Sequence, residues 1–147
     1  MERIAFARKI HGLQRTCGDQ LIYMDQTTFQ IWPKPIRTWQ LASAPITAPE
    51  NYNFLSAVTL FGAIGNCIQG GKLYMLANAT DIPSTKKFLV QLAGALKDPY
   101  TRVKPYLVMD NHGAHRSDKI LEELSRFHAC FQVPYSSPFN CQETVWS

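Results

Sequence analysis

Two aspartates follow near-identical apolar segments and are the residues best suited to chemistry. The run LIYM leads into Asp25 and Gln26, and the run YLVM leads into Asp110 and Asn111. Short apolar runs of this kind are typical of strands that are buried on both faces. If the two strands are parallel neighbours, both carboxylates emerge at the carboxyl edge of the sheet, where open α/β sheets place their ligands.

The chemistry that such a pair favours is binding of a divalent cation. Two carboxylates held close together repel each other, and a cation between them removes that cost. Hard oxygen ligands suit Mg²⁺. A structural alternative stays open for each aspartate, because Asp and Asn at strand ends also form local hydrogen bonds in turns. The matched pair favours the metal site more than either aspartate does alone.

Glu143 is the third candidate for this site. Asn140 precedes it by three residues, which is a capping-box-like pattern and would give Glu143 a purely structural role. A glutamate in the first turn of a helix packed over the sheet can still reach a metal. Both interpretations therefore remain open.

Two histidines follow the second aspartate. His112 and His115 have the i, i+3 spacing of a metal-binding pair, but no thiolate or further histidine accompanies them. We interpret them as part of the loop after the strand, where one of them orients a phosphate or a carboxylate.

The segments around these residues predict an α/β fold with a partly parallel sheet. Residues 1–20 are mixed and basic and are interpreted as a linker or leader, and residues 32–53 contain four prolines and are interpreted as loop with at most a short edge strand at 37–41. The other predicted elements, in chain order, are the strand LIYM, an antiparallel hairpin of 55–64 and 72–77, a helix capped by Ser84, the strand YLVM, a helix capped by Ser117, a strand at 129–133 and a helix that begins near Asn140.

Composition limits the class of protein without identifying it. The 147 residues carry a net charge of +4, which permits contact with phosphates but does not demonstrate it. Four scattered cysteines without a CxxC pair indicate reduced thiols and argue against a zinc knuckle. No apolar run has the length of a signal peptide or a membrane span, so we expect no membrane partner.

Three stretches together resemble the catalytic domain of mariner-type transposases, which belong to the DDE superfamily. They are LIYMDQTTF with a downstream RTW, PYLVMDNHGAHRS and VPYSSPFNCQETVWS, and the resemblance covers about residues 8–147. It implies a ribonuclease-H-like fold, in which helices flank a mixed sheet. The implied catalytic domain is 21–147, and we expect it to be incomplete at its C-terminus, after the start of the glutamate-bearing helix.

The resemblance also implies which residues are functional. The three catalytic, metal-binding carboxylates of the family fall on Asp25, Asp110 and Glu143. The possible supporting residues are Asn111, His115 and Asn140. The implied cofactors are two Mg²⁺ or Mn²⁺ ions, which promote DNA strand cleavage and strand transfer by two-metal phosphoryl transfer.

The implied partners are DNA, as transposon ends and target, and a second copy of the chain in the full-length protein. The implied location is the nucleus in a eukaryote, or the cytoplasm and nucleoid in a bacterium. We expect a fragment that lacks the helix-turn-helix DNA-binding region of the family. Two other functions remain open, namely a transposase remnant that acts as a non-catalytic DNA-binding or interaction module, and a structure-selective ribonuclease-H-like nuclease.

Overall fold

A computed structural model of the chain describes residues 2–29 and 57–134. Within these ranges one mixed sheet has the strand order β3-β2-β1-β4-β5, with β1 parallel to β4, β4 parallel to β5, and the β1–β2 and β2–β3 pairs antiparallel. The strands are β1 (Leu21–Phe29), β2 (Val58–Ile64), β3 (Lys72–Ala77), β4 (Tyr106–Met109) and β5 (His128–Phe131). The helices are α1 (Glu2–Cys17), α2 (Ile82–Gly94) and the single turn α3 (Leu121–Leu124).

The structure confirms the predicted fold class and most of the predicted elements. Both apolar runs are strands, and the hairpin is β2 with β3. The first strand is longer than predicted, because β1 continues past LIYM to Phe29 through its antiparallel pairing with β2, so Asp25 lies inside the strand and not at its end. The strand predicted at 129–133 is β5, shifted by one residue at its start and two at its end. The edge strand predicted at 37–41 and the helix predicted from Asn140 lie outside the described residues.

The N-terminal segment differs from its interpretation as a linker. Most of it forms α1, and Phe6 and Ile10 of this helix are buried against Leu21, Tyr23 and other residues of one sheet face. The two buried residues are four apart and so lie on the same side of a helix. Together with the partly buried Leu13 they form a narrow stripe on a helix whose other residues are mainly polar, which explains why the segment looks mixed in sequence.

The cap predicted for α2 is also corrected. The helix begins three residues before the expected point, because Asp81 and not Ser84 is the N-cap. The carboxylate of Asp81 accepts a hydrogen bond of 2.8 Å from the backbone N–H of Ser84. Pro83 lies in the first turn of the helix, where the lack of an N–H costs nothing.

The two faces of the sheet are covered by different helices, and this division fixes where the strand-end residues point. Ile22 and Met24 of β1 pack in the larger core with Phe88 and other α2 residues. Leu21 and Tyr23 pack instead in the smaller cluster with α1. Strand side chains alternate between faces, so odd-numbered positions of β1 face α1. In the described part of the chain, no helix is both long and apolar enough to cross a membrane.

The turn α3 is held against α2 by an ion pair between Lys86 Nζ and Glu123 Oε1 at 3.1 Å. Glu123 is buried. Burial raises the pKa of its carboxyl, but the hydrogen bond and charge of Lys86 and the charge of Arg126 outweigh burial, so the pKa is lowered. A carboxyl with a lowered pKa stabilises the fold above its ordinary pKa and loses that contribution as the pH falls through the lowered value.

We therefore expect Glu123→Gln to lower the urea midpoint of unfolding at pH 7. The difference from wild type should shrink as the pH is lowered below the ordinary glutamate pKa, because the wild-type carboxyl is then protonated as well. The matched control is Glu122→Gln, since Glu122 is the exposed neighbour on the same turn. A difference that persists unchanged at low pH would show that lost packing, and not the ion pair, causes the destabilisation.

Candidate active site

Asp25 and Asp110 lie level with each other on adjacent parallel strands. The β1–β4 register ends with the pair Tyr23↔Val108. Asp25 is two residues beyond Tyr23, and Asp110 is two residues beyond Val108. Because neighbouring strands run about 4.8 Å apart, the two aspartates lie side by side where β4 ends, although β1 itself continues to Phe29.

The same alternation places both carboxylates on one face. Tyr23 and Val108 belong to the cluster packed against α1. Residues two positions further along each strand return to that face. Both aspartates are half-buried. The structure thus brings together two of the three residues predicted as metal ligands, while their metal-binding role stays a prediction.

Asp110 is held by a histidine from the turn that follows β4. His115 is fully buried, and its Nδ1 lies 2.6 Å from Asp110 Oδ1 and 3.3 Å from the Asp110 carbonyl oxygen. The turn Gly113–Arg116 presents the ring, and the His115 N–H donates to the His112 carbonyl at 3.0 Å. His115, one of the two histidines that follow β4, therefore contacts the Asp110 carboxylate.

The electrostatics of this contact favour an ionised Asp110. Burial raises the pKa of the Asp110 carboxyl, but the hydrogen bond and charge of His115 outweigh burial. The backbone and charge of His112 act in the same direction, and the net pKa is lowered. Asp110 is therefore a carboxylate at neutral pH and an available oxygen ligand.

Asp25 is positioned by its own strand. Its Oδ1 accepts a hydrogen bond of 2.9 Å from the backbone N–H of Gln26. Its partner across the antiparallel pair is Gly62, which brings no side chain against the carboxylate. The oxygen atoms of Asp25 and Asp110 are the hard donors that Mg²⁺ and Mn²⁺ prefer, so the residues present fit a divalent cation.

The remaining predicted residues have different outcomes. Asn111 directly follows Asp110 and is exposed. Asn140 and Glu143 lie outside the described residues, so their predicted roles are untested by the geometry. Within 2–29 and 57–134, no group of three or more His, Cys, Asp or Glu residues could hold a metal ion.

One residue of interest was missed by sequence reasoning. Gln132 follows β5, is buried, and lies next to Asp110 on the neighbouring strand. In sequence it is an ordinary polar residue inside a predicted strand. Aligning the strand ends LIYM, YLVM and HACF would have brought it level with the aspartates, but the register of β5 was unknown from sequence.

Comparison with known families and structures identifies this arrangement. A family profile described as DDE superfamily endonuclease matches residues 20–147. None of the curated proteins matches the chain. Among solved structures, the catalytic domain of Mos1 mariner transposase is similar with a TM-score of 0.64 at 13% identity, covering 98% of this chain and 66% of that one.

Two larger assemblies show the same likeness. The Mos1 mariner paired end complex with Mn gives a TM-score of 0.63 at 14% identity, covering 98% of this chain and 46% of that chain. The simian T-cell lymphotropic virus intasome in complex with PP2A regulatory subunit B56 gamma gives a TM-score of 0.52 at 12% identity. The similarity covers 86% of this chain and 37% of that chain.

Identities this low show the fold alone, and the chain spans 46% of the Mos1 polypeptide in the paired end complex. The shared fold is the ribonuclease-H-like fold of the Mos1 catalytic domain, as the three motifs implied. The family profile covers most of the chain and includes both Asp25 and Asp110. The chain belongs to the DDE superfamily of endonucleases.

Proposed function

We propose that this chain is the catalytic core of a mariner-type transposase, which cuts DNA strands and joins them to target DNA. The observation that carries the proposal is the level placement of Asp25 and Asp110 on adjacent parallel strands, in a chain of the DDE superfamily. Chemistry at a phosphodiester needs negative charge to be neutralised where it develops, and paired carboxylates support this by holding cations.

The residues that would hold the cations are Asp25, Asp110 and Glu143. Similar Mos1 structures were solved with Mn and with Mg, which supports the choice of ion. When bound, two such ions would supply activation of the attacking hydroxyl and stabilisation of the leaving oxygen. His115 keeps the Asp110 carboxylate ionised and in one orientation, because its buried ring cannot move away without losing packing.

The proposed substrate is duplex DNA, as transposon ends and target. Solved structures of the similar Mos1 transposase include a paired-end complex with the left transposon end and a strand transfer complex, which supports this choice. The net charge of +4 suits contact with phosphates. We also propose Asn111 and Asn140 as supporting residues, a dimer in the full-length protein, and a nuclear location in a eukaryotic host.

The test is a nicking assay with the purified chain on supercoiled plasmid DNA, with Mn²⁺ and with EDTA. We expect Mn²⁺-dependent conversion to open circles, since the carboxylates need a cation to act. The same protein is then given an RNA–DNA hybrid. Preferential cleavage of the hybrid would identify a ribonuclease-H-like nuclease instead. Calorimetry that detects no Mn²⁺ binding, together with no nicking, would favour the non-catalytic module.

A further inference from the structure

Gln132 extends the row of residues at the carboxyl edge of the sheet by one strand. The β4–β5 register ends with Met109↔Phe131. The backbone N–H of Gln132 donates to the Met109 carbonyl at 2.8 Å, so the parallel pairing continues for one more step. Gln132 is therefore level with Asp110, as Asp110 is level with Asp25.

The three side chains also share a face. Cys130, two residues before Gln132, packs with Val108 and Tyr23 in the cluster against α1. Level residues of neighbouring parallel strands point to the same face, so the continued pairing with β4 directs Gln132 and Asp110 to one face. Gln132 and Asp110 are thus direct neighbours on strands about 4.8 Å apart, a separation that a glutamine side chain spans easily.

The amide of Gln132 is a buried donor in need of an acceptor. The residue is 7% exposed, and its Nε2 has no hydrogen-bond partner among residues 2–29 and 57–134. A buried N–H without an acceptor is costly, and such groups are almost always paired. The neighbouring acceptor is Asp110 Oδ1, which is itself buried and has room for a second donor beside His115 because a carboxylate oxygen has two lone pairs.

We propose that Gln132 is a positioning residue for Asp110, donating an N–H from its amide to the Asp110 carboxylate from the side opposite to β1. The structure shows no hydrogen bond between these two atoms, so the proposed contact requires a change in the side-chain torsions of Gln132. With His115 it fixes the carboxylate orientation that cation binding requires. The proposal rests on the proposed function in one respect only, namely that Asp110 is a metal ligand.

The neutral charge of Gln132 suits this role. A lysine or arginine at the same place would also donate to Asp110, but its positive charge would compete with a divalent cation for the carboxylate. An amide supplies the hydrogen bond without that competition. A glutamine at this position can therefore orient the Asp110 carboxylate while the negative charge of that carboxylate stays available for a cation.

The first experiment measures Mn²⁺ binding by calorimetry for wild type, Gln132→Met and Gln91→Met. Methionine keeps the length of the side chain and removes its hydrogen bonds. Gln91 is the control, because it is also a glutamine but is exposed on helix α2 and does not belong to the row of strand residues. We expect Gln132→Met to weaken Mn²⁺ binding by about tenfold, the effect of removing a group that orients a metal ligand. Gln91→Met should bind as wild type does.

The second experiment needs neither metal nor activity. It measures unfolding in urea for Gln132→Met, Asp110→Ala and the double variant, since alanine removes the acceptor that asparagine would keep. If the two side chains interact, the double variant should differ from the product of the single effects by at least about threefold in the unfolding equilibrium constant. Independent effects, or equal Mn²⁺ affinities of the two methionine variants, would overturn the proposal. If wild type binds no Mn²⁺, the proposed function fails. The comparison of the single and double variants in urea still decides whether Gln132 contacts Asp110.

Discussion

Asp110→Asn is expected to reduce Mn²⁺-dependent nicking by about 10³-fold or more, as is usual when an essential catalytic group is removed. The amide has the shape of the carboxylate but no charge, so it cannot offset the charge of a cation. Asp110 is half-exposed at the end of β4, so the exchange should leave the fold intact. We expect Asp25→Asn to have a similar effect, because Asp25 faces the same point from the adjacent strand.

The control for this prediction is Asp98→Asn. Asp98 is an exposed aspartate in the segment before β4, at the opposite edge of the sheet, and its carboxylate accepts a hydrogen bond from Thr101. This variant should nick at the wild-type rate. Circular dichroism and thermal unfolding of all variants separate lost chemistry from lost folding. Wild-type activity in Asp110→Asn would remove Asp110 from the active site.

His115→Leu is expected to weaken Mn²⁺ binding and nicking by about 10- to 100-fold, the usual effect of removing a hydrogen-bond partner of a metal ligand. His115 is fully buried and its Nδ1 lies 2.6 Å from the Asp110 carboxylate. Leucine fills the space but leaves Asp110 without this donor. The carboxylate then loses a fixed orientation, and its pKa is no longer held down by the imidazole.

A second variant separates this effect from simple destabilisation. His115→Asn places an amide N–H close to the position of Nδ1, so it should retain more Mn²⁺ affinity than His115→Leu does, although it packs less well. Calorimetry and urea unfolding are measured on both. If Mn²⁺ affinity follows stability rather than the presence of the donor, His115 has a structural role only.

The parts of the site that local sequence predicts are the strand ends. LIYM and YLVM are short continuous apolar runs, which are typical of strands buried on both faces, and each is followed by an aspartate. Their parallel pairing is predicted by the alternation of strands and helices in the second half of the chain. The register that makes Asp25 and Asp110 level depends on contacts between the strands and is known only from the structure.

The parts that were not predicted depend on contacts distant in sequence. Helix α1 presents a narrow stripe to the sheet, formed by Phe6, Ile10 and the partly buried Leu13, which is hard to distinguish from a linker before its partners are known. The start of α2 differs from the prediction because Asp81 and Ser84 are both suitable caps, and the Asp81 carboxylate is the one that accepts a hydrogen bond from the helix. Gln132 was overlooked because its neighbour is on another strand.

The central claim is that Asp25 and Asp110 bind the same cations at one edge of the sheet. The most direct measurement is a crystal structure of the chain grown with Mn²⁺, with anomalous scattering recorded near the manganese edge. We expect anomalous peaks in contact with the carboxylates of both aspartates. Anomalous density bound elsewhere, or the two carboxylates directed to opposite faces of the sheet, would contradict the claim.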